Sequence, residues 1–157
     1  APHNEIAANL IAALKNATRS LDKKYRIYSS NQKIYLPSLN MGLYPDAVVV
    51  CEKPEFQDDN QILLINPLAI FEVLSKSTEG YDRGDKFLLY RQLESLKEYV
   101  LVDSKRIHAE VYRKNEDGFW LLASEAIDIQ ESIYLKSVEV TLPMEDVYLN
   151  TDDLPIE

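Results

Sequence analysis

Glu72 is a carboxylate in a segment that has little room for one. It lies within Leu68-Ala69-Ile70-Phe71-Glu72-Val73-Leu74, an apolar run that reads as a buried strand. Burying an unpaired charge costs free energy on the scale that holds a whole domain together. Glu72 is therefore expected to be neutral, paired with a cation or bound to a metal. Asp46 stands in a similar setting, after Pro45 and at the head of Ala47-Val48-Val49-Val50-Cys51, a second strand of buried character. Two acids on two central strands form a site for a hard divalent cation, Mg²⁺ with Mn²⁺ as the alternative. A third group comes from the segment that follows. Lys86, Leu89, Leu93 and Leu96 fall along one stripe of a predicted helix. Lys86 is thus expected to turn toward the sheet, near the loop that leaves Glu72, with Asp82 four residues earlier on the same stripe. Two carboxylates and an inward lysine suit phosphodiester hydrolysis. The acids hold the metal, which polarises a phosphoryl oxygen and acidifies a bound water, while the lysine orients that water or neutralises developing charge. Taken alone, Asp46 and Glu72 read about as well as partners in a buried ion pair with Lys86 or Arg83 and no chemistry. Lys86 alone reads as a snorkelling surface lysine.

The elements that must position these groups follow from periodicity. Residues 4–20 predict an amphipathic helix through Ile6, Leu10, Ala13, Leu14 and Ala17, with Asn4 as its cap. Residues 25–28 and 33–36 alternate as strands around a bend at 29–31, strand 46–51 follows, and 52–61 is a polar loop. In the central strand, 68–75, alternation puts Leu68, Ile70, Glu72 and Leu74 on one face, and Phe71, Val73 and Ser75 on the other. A helix is predicted over about 82–97, then strands at 99–103, 107–112 and 119–122, the last two joined by the turn Asn115-Glu116-Asp117-Gly118. A strand near 138–142, a helical turn at 143–148 and a frayed acidic tail from Asn150 complete the chain. This order predicts one domain over 1–157 of the α/β (α+β) class, with a mixed central sheet flanked by helices.

The chain of 157 residues, 46% hydrophobic and 27% charged, fits one domain with a real core. No apolar run approaches the roughly 20 residues of a membrane span, so no membrane association is expected. No signal peptide is visible, and the start at Ala1-Pro2-His3 without Met leaves room for an upstream segment. The single cysteine, Cys51, excludes a disulfide framework; it reads as a small buried hydrophobe, and the expected compartment is the reducing cytoplasm. With 4 glycines there is no Gly-rich phosphate loop and no dinucleotide fingerprint. A net charge of −9 argues against broad adhesion to nucleic acid or anionic membrane, though not against an enzyme with a local basic rim and a bound metal.

The remaining candidates are bland. His3 and His108 are far apart and show no metal-ligand spacing; His108 is expected on an exposed strand face and His3 at a helix start. Ser75 lacks a paired histidine or a nucleophile elbow, so it is expected to hydrogen-bond backbone or to support a carboxylate. Tyr25, Tyr28, Tyr35 and Tyr44 offer faces for base stacking, but half-buried strand packing explains them better, and Trp120 reads as packing.

Pro45-Asp46, Phe71-Glu72-Val73-Leu74-Ser75, Ser77-Thr78, Asp82-Arg83-Gly84-Asp85-Lys86 with Tyr90, and Glu98-Tyr99-Val100-Leu101-Val102-Asp103 occur in an order that resembles the Uma-type family of restriction endonuclease-like proteins, within the PD-(D/E)XK nuclease superfamily. His3 before an amphipathic helix also looks like that family's N-terminus, and the resemblance runs from His3 to about Tyr112. It implies a restriction-endonuclease-like fold and a magnesium-dependent site that hydrolyses DNA. Asp46 and Glu72 would be its acids, the Val73 backbone carbonyl a further metal ligand, and Lys86 the lysine. The chain departs from the superfamily pattern at Leu74, where a lysine is usual; Lys86 on the following helix would take its place. Asp82 and Ser75 would support the site from behind. Arg83, Lys76 and Lys53 would form the rim that meets DNA, and two copies would pair as a homodimer. Two rival readings are a nuclease fold with a decayed site that works as a binding or assembly module, and a metal-dependent hydrolase of a small phosphate ester.

Overall fold

A computed structural model describes residues 1–155. Helix α1, Pro2–Thr18, buries Ile6, Leu10, Leu14 and Thr18, one residue in four, against the sheet. It starts earlier than the hydrophobic pattern predicts: Ala1 occupies the cap position and Pro2 the first turn, where its missing N–H costs nothing, so Asn4 is not the cap. The strands follow as β1 (Tyr25–Ser29), β2 (Lys33–Leu36), β3 (Met41–Leu43), β4 (Ala47–Cys51), β5 (Leu63–Leu64) and β6 (Ala69–Leu74). Two short helices, α2 (Glu79–Arg83) and α3 (Asp85–Tyr90), lead to β7 (Glu98–Asp103), β8 (Ala109–Lys114), β9 (Trp120–Ala126), β10 (Ser132–Leu135) and β11 (Val140–Pro143), and α4 (Met144–Val147) comes last.

The central sheet has six strands in the order β1-β4-β6-β7-β8-β9. Only β6 and β7 run parallel, so the sheet is mixed. Strand β6 is buried along its whole length because it lies in the middle with both faces covered. One face carries Ala47, Val49, Phe71, Val73, Val100 and Val102 against α1, α4 and the β10–β11 hairpin. The other carries Val48, Val50, Ile70, Leu74, Tyr99 and Leu101 against α3 and the small β3-β2-β5 sheet. Glu72 alternates onto this second face, as its parity predicts.

The segment after β6 departs from expectation. In place of one helix over 82–97, the chain leaves helical geometry at Gly84 (φ −102°, ψ −100°), and helix resumes only to Tyr90. Glycine is a poor interior helix residue, by about 1 kcal/mol against alanine, and is the natural point for a break. Beyond Tyr90 the chain winds through three-residue turns, Leu93 N–H to Tyr90 O and Leu96 N–H to Leu93 O. The buried set is therefore Phe87, Tyr90, Leu93 and Leu96, every third residue, and Leu89 is only half-buried. Strands β3 and β5, of three and two residues, are too short for alternation to mark, and the four-residue β10 lies outside the predicted strands. The chain past Asn150 is held by turns as far as Leu154 (Leu154 N–H to Thr151 O, 3.2 Å), where fraying was expected; 156 and 157 lie outside the described residues. Cys51 is half-exposed at the end of β4, where a buried position was expected.

Candidate active site

The acids meet because of strand register. Ala47 pairs with Phe71, so one step further Asp46 comes level with Glu72. The Asp46 N–H donates to the Phe71 carbonyl and to Glu72 Oε1, each at 3.1 Å. In return the Val73 N–H donates to Asp46 Oδ2 at 2.7 Å. The two carboxylates thus sit side by side at the end of β4 and β6, tied by the backbone of each other's strand.

Lys86 reaches this point from α3. Its ammonium forms an ion pair with Glu72 Oε2 and lies 3.7 Å from Asp82 Oδ1. The Glu72 side chain is 2% exposed and that of Lys86 13%. Lys86 turns inward even though the long helix does not exist, because one turn of α3 is enough to aim it. Burial lifts the Glu72 pKa to about 8, against the opposing pull of the Lys86 ammonium. Burial works to lower the Lys86 pKa, but Glu72, Asp82 and Asp46 outweigh it and hold the amine protonated. Asp82 is raised, chiefly by burial. Oε2 of Glu72 is buried with no hydrogen-bond donor among the described residues other than that ammonium. A buried carboxylate oxygen beside a second carboxylate is a donor set of hard oxygens; it fits Mg²⁺ or Mn²⁺ better than a soft metal.

The other predicted residues fall into two groups. Ser75 Oγ is 3.0 Å from Thr78 Oγ1, and Thr78 hydrogen-bonds Asp82, so Ser75 reaches the site only through Thr78. Lys76 is exposed in the loop leaving β6, at the site end of the sheet. Arg83 is already engaged, 2.6 Å from Glu110 Oε1 and 3.3 Å from Glu79 Oε1. Lys53 lies beyond the far end of β4, whose five residues span about 17 Å, so the fold separates it from Asp46.

His3, which as a lone histidine reads as a helix-start residue and also matches the N-terminus of the resembled family, places its Nε2 3.3 Å from Asp46 Oδ1, and this contact raises its pKa. His108 is not on an exposed strand face. It precedes β8, with its side chain 18% exposed and Nε2 2.8 Å from Glu125 Oε2. His108, Glu110 and Glu125 bring ligand atoms within 4.8 Å of one another. Glu110 is occupied by Arg83 and by the Tyr112 hydroxyl (2.9 Å), so the cluster reads as a charge network that closes the β8–β9 edge. Only the pairing of Glu110 with Glu125 shows it, and that register is invisible in the sequence.

The comparisons with known proteins agree with this architecture. The Uma2 family, described as "Putative restriction endonuclease", matches residues 1–144. Two uncharacterized proteins of Synechocystis sp. (strain PCC 6803) are 37% and 34% identical over 122 residues. Those 122 residues are 78% of this chain and 68% and 62% of the respective relatives. A crystal structure described as a "putative nuclease belonging to DUF820" from Anabaena variabilis has the same fold, with a TM-score of 0.73 at 15% identity over 94% of this chain and 80% of that one.

Proposed function

This chain belongs to the Uma2 family of "Putative restriction endonuclease" proteins, and from that membership we propose that it is a Mg²⁺-dependent endonuclease that hydrolyses DNA phosphodiester bonds at the Asp46–Glu72–Lys86 cleft. The observation that carries the proposal is the meeting of two carboxylates and one inward ammonium at the end of two central strands. Asp46 and Glu72 would hold the cation, with the Val73 carbonyl beside them. When bound, a divalent cation supplies a Lewis acid for the phosphoryl oxygen and acidifies a water. Lys86, fixed between Glu72 and Asp82, presents its ammonium at the same point, where it can neutralise charge that develops on the phosphoryl group. Asp82 and, through Thr78, Ser75 fix where that ammonium sits. Lys76 is the rim cation best placed to meet the DNA backbone.

Among the described residues no helix is long and apolar enough to cross a membrane. We place the enzyme in the cytoplasm, acting as a homodimer that sets two sites on one duplex.

One observation favours a second reading, a decayed nuclease fold that binds without cutting. Each carboxylate already has protein partners: His3 and the Val73 N–H on Asp46, the Asp46 N–H and Lys86 on Glu72. Incubation of the purified protein with supercoiled plasmid and Mg²⁺ separates the two. The nuclease reading expects nicking that is lost in Asp46→Asn and in Glu72→Gln; a wild-type protein that never nicks plasmid, single-stranded DNA or a nucleotide ester supports the decayed fold. Hydrolysis of the ester alone would point to a small-molecule phosphoesterase.

A further inference from the structure

At the opposite end of the strands from Glu72 the local charge reverses sign. A cleft of about 640 Å³ opens between the start of β7, the β8–β9 hairpin and the end of β10. Lys97, Arg113, Lys114 and Lys136 line it, against the acids Glu116 and Asp117 of the hairpin turn. Four of the 17 basic residues of a chain with net charge −9 thus converge on one concavity.

The cleft is built around a buried carboxylate. Glu98, with no exposed surface, accepts from Arg113 Nε (2.8 Å), from the Lys136 N–H (3.1 Å) and from the Ser137 N–H (2.8 Å). This knot pulls the end of β10 onto the β7–β8 pair and consumes the Glu98 charge in doing so. Among the described residues the ion-pair partner of Glu98 is Arg113 and not a lysine ammonium. The Lys114 backbone pairs with Lys97 (N–H to O, 2.9 Å), which brings the two lysines together. Lys114 Nζ is held by a neutral acceptor, the Glu94 carbonyl, at 3.0 Å. Burial, and after it the Lys97 charge, push the Lys114 amine below its ordinary range against the opposing pull of the Glu94 carboxylate. Leu121 and Ala123 of β9 supply an apolar wall. A bare inorganic anion would leave most of such a volume empty, whereas it lies in the range of small-molecule sites.

We propose that this cleft binds a phosphate-bearing ligand of nucleotide size, with its phosphate on Lys97, Lys114 and Lys136 and its less polar part on Leu121 and Ala123. The phosphate belongs either to a free nucleotide or to the end of a nucleic-acid strand. The site is separate from the Asp46–Glu72 cleft and does not depend on the nuclease reading.

The test is a calorimetric titration without divalent cation, with amide chemical shifts followed in parallel. A deoxynucleoside monophosphate should bind wild type and Asp46→Asn equally, and the unphosphorylated nucleoside should not bind. The double variant Lys97→Ala/Lys136→Ala should weaken binding at least about tenfold, the scale of a lost charged hydrogen bond. Both lysines are exposed, so the fold is expected to survive; if it does not, the wild-type shifts still decide, since they should centre on Lys97, Lys114, Leu121 and Ala123. A 5′-phosphorylated oligonucleotide that binds tighter than the monophosphate marks a nucleic-acid end as the source; equal or weaker binding marks a free nucleotide. Absence of binding at millimolar monophosphate, binding unchanged in the double variant, or shifts centred on Asp46 and Val73 would overturn the proposal.

Discussion

Glu72 couples the site to pH. Its pKa is lifted by burial from 4.5 to about 8, and a cation needs the ionised form. Mg²⁺ affinity should therefore rise close to tenfold per pH unit below about 8 and level off above it, measured by calorimetry at several pH values. Lys86 pulls that pKa down, so Lys86→Ala should move the levelling-off point to higher pH and lower nicking by about 100-fold or more, the range of an acid–base or electrostatic catalyst. Stability runs the other way. Between pH 4.5 and about 8 the folded protein holds a proton on Glu72 that the unfolded chain has released, so this group's stabilising contribution is full below 4.5 and is lost as pH rises through 8. Glu72→Gln should flatten the metal-free melting temperature across that window; an unchanged slope would mean that Glu72 stays ionised in the fold. The anomaly of Glu72 was visible as one acid in an apolar run. The His3 contact was not, because nothing in local pattern says which strand end a helix start will reach.

At the scale of elements, buried carboxylates do two different jobs. Glu72 is incompletely satisfied, whereas Glu98 is fully bonded and holds β7, β8 and the β10 end together. Glu98→Ala strands Arg113 beside a cavity and should cost about 3–5 kcal/mol in urea unfolding, with Mg²⁺ affinity unchanged. Gly118 closes the β8–β9 hairpin at φ +86°, which L side chains seldom adopt; Gly118→Ala should cost about 1 kcal/mol by the same measurement. The hairpin turn was readable because Asn-Glu-Asp-Gly carries its own local chemistry. The helix after β6 is shorter than its pattern predicts because Lys86, Leu89, Leu93 and Leu96 fit a helical stripe as well as Phe87, Tyr90, Leu93 and Leu96 fit a chain of tight turns. Gly84 was the signal that could have decided between them. The inward aim of Lys86 survived because it needs only the first turn.

Across the whole molecule the charge is unfavourable for DNA and the fold answers locally. At −9 the surface repels a polyanion, and Arg83, expected on the rim, is spent on Glu79 and Glu110. Binding to DNA should accordingly depend on the cation and on few side-chain contacts. With about two phosphate contacts, affinity should drop only about tenfold between 50 and 200 mM salt; a much steeper fall would mean a wider basic surface. The mixed sheet and its helices could be read from the order of elements, since strand and helix periodicities differ. The distance of Lys53 from Asp46 was legible as well, since the predicted strand 46–51 lies between them, whereas the meeting of Asp46 with Glu72 depends on the register of β4 against β6.

The central claim is that Asp46 and Glu72 share one divalent cation. Calorimetric titration of Mg²⁺ into the wild type at pH 8.5, above the Glu72 pKa of about 8, tests it directly. One site per chain, abolished in both Asp46→Asn and Glu72→Gln, is the predicted result. No uptake by the wild type, or uptake that survives either substitution, would contradict it.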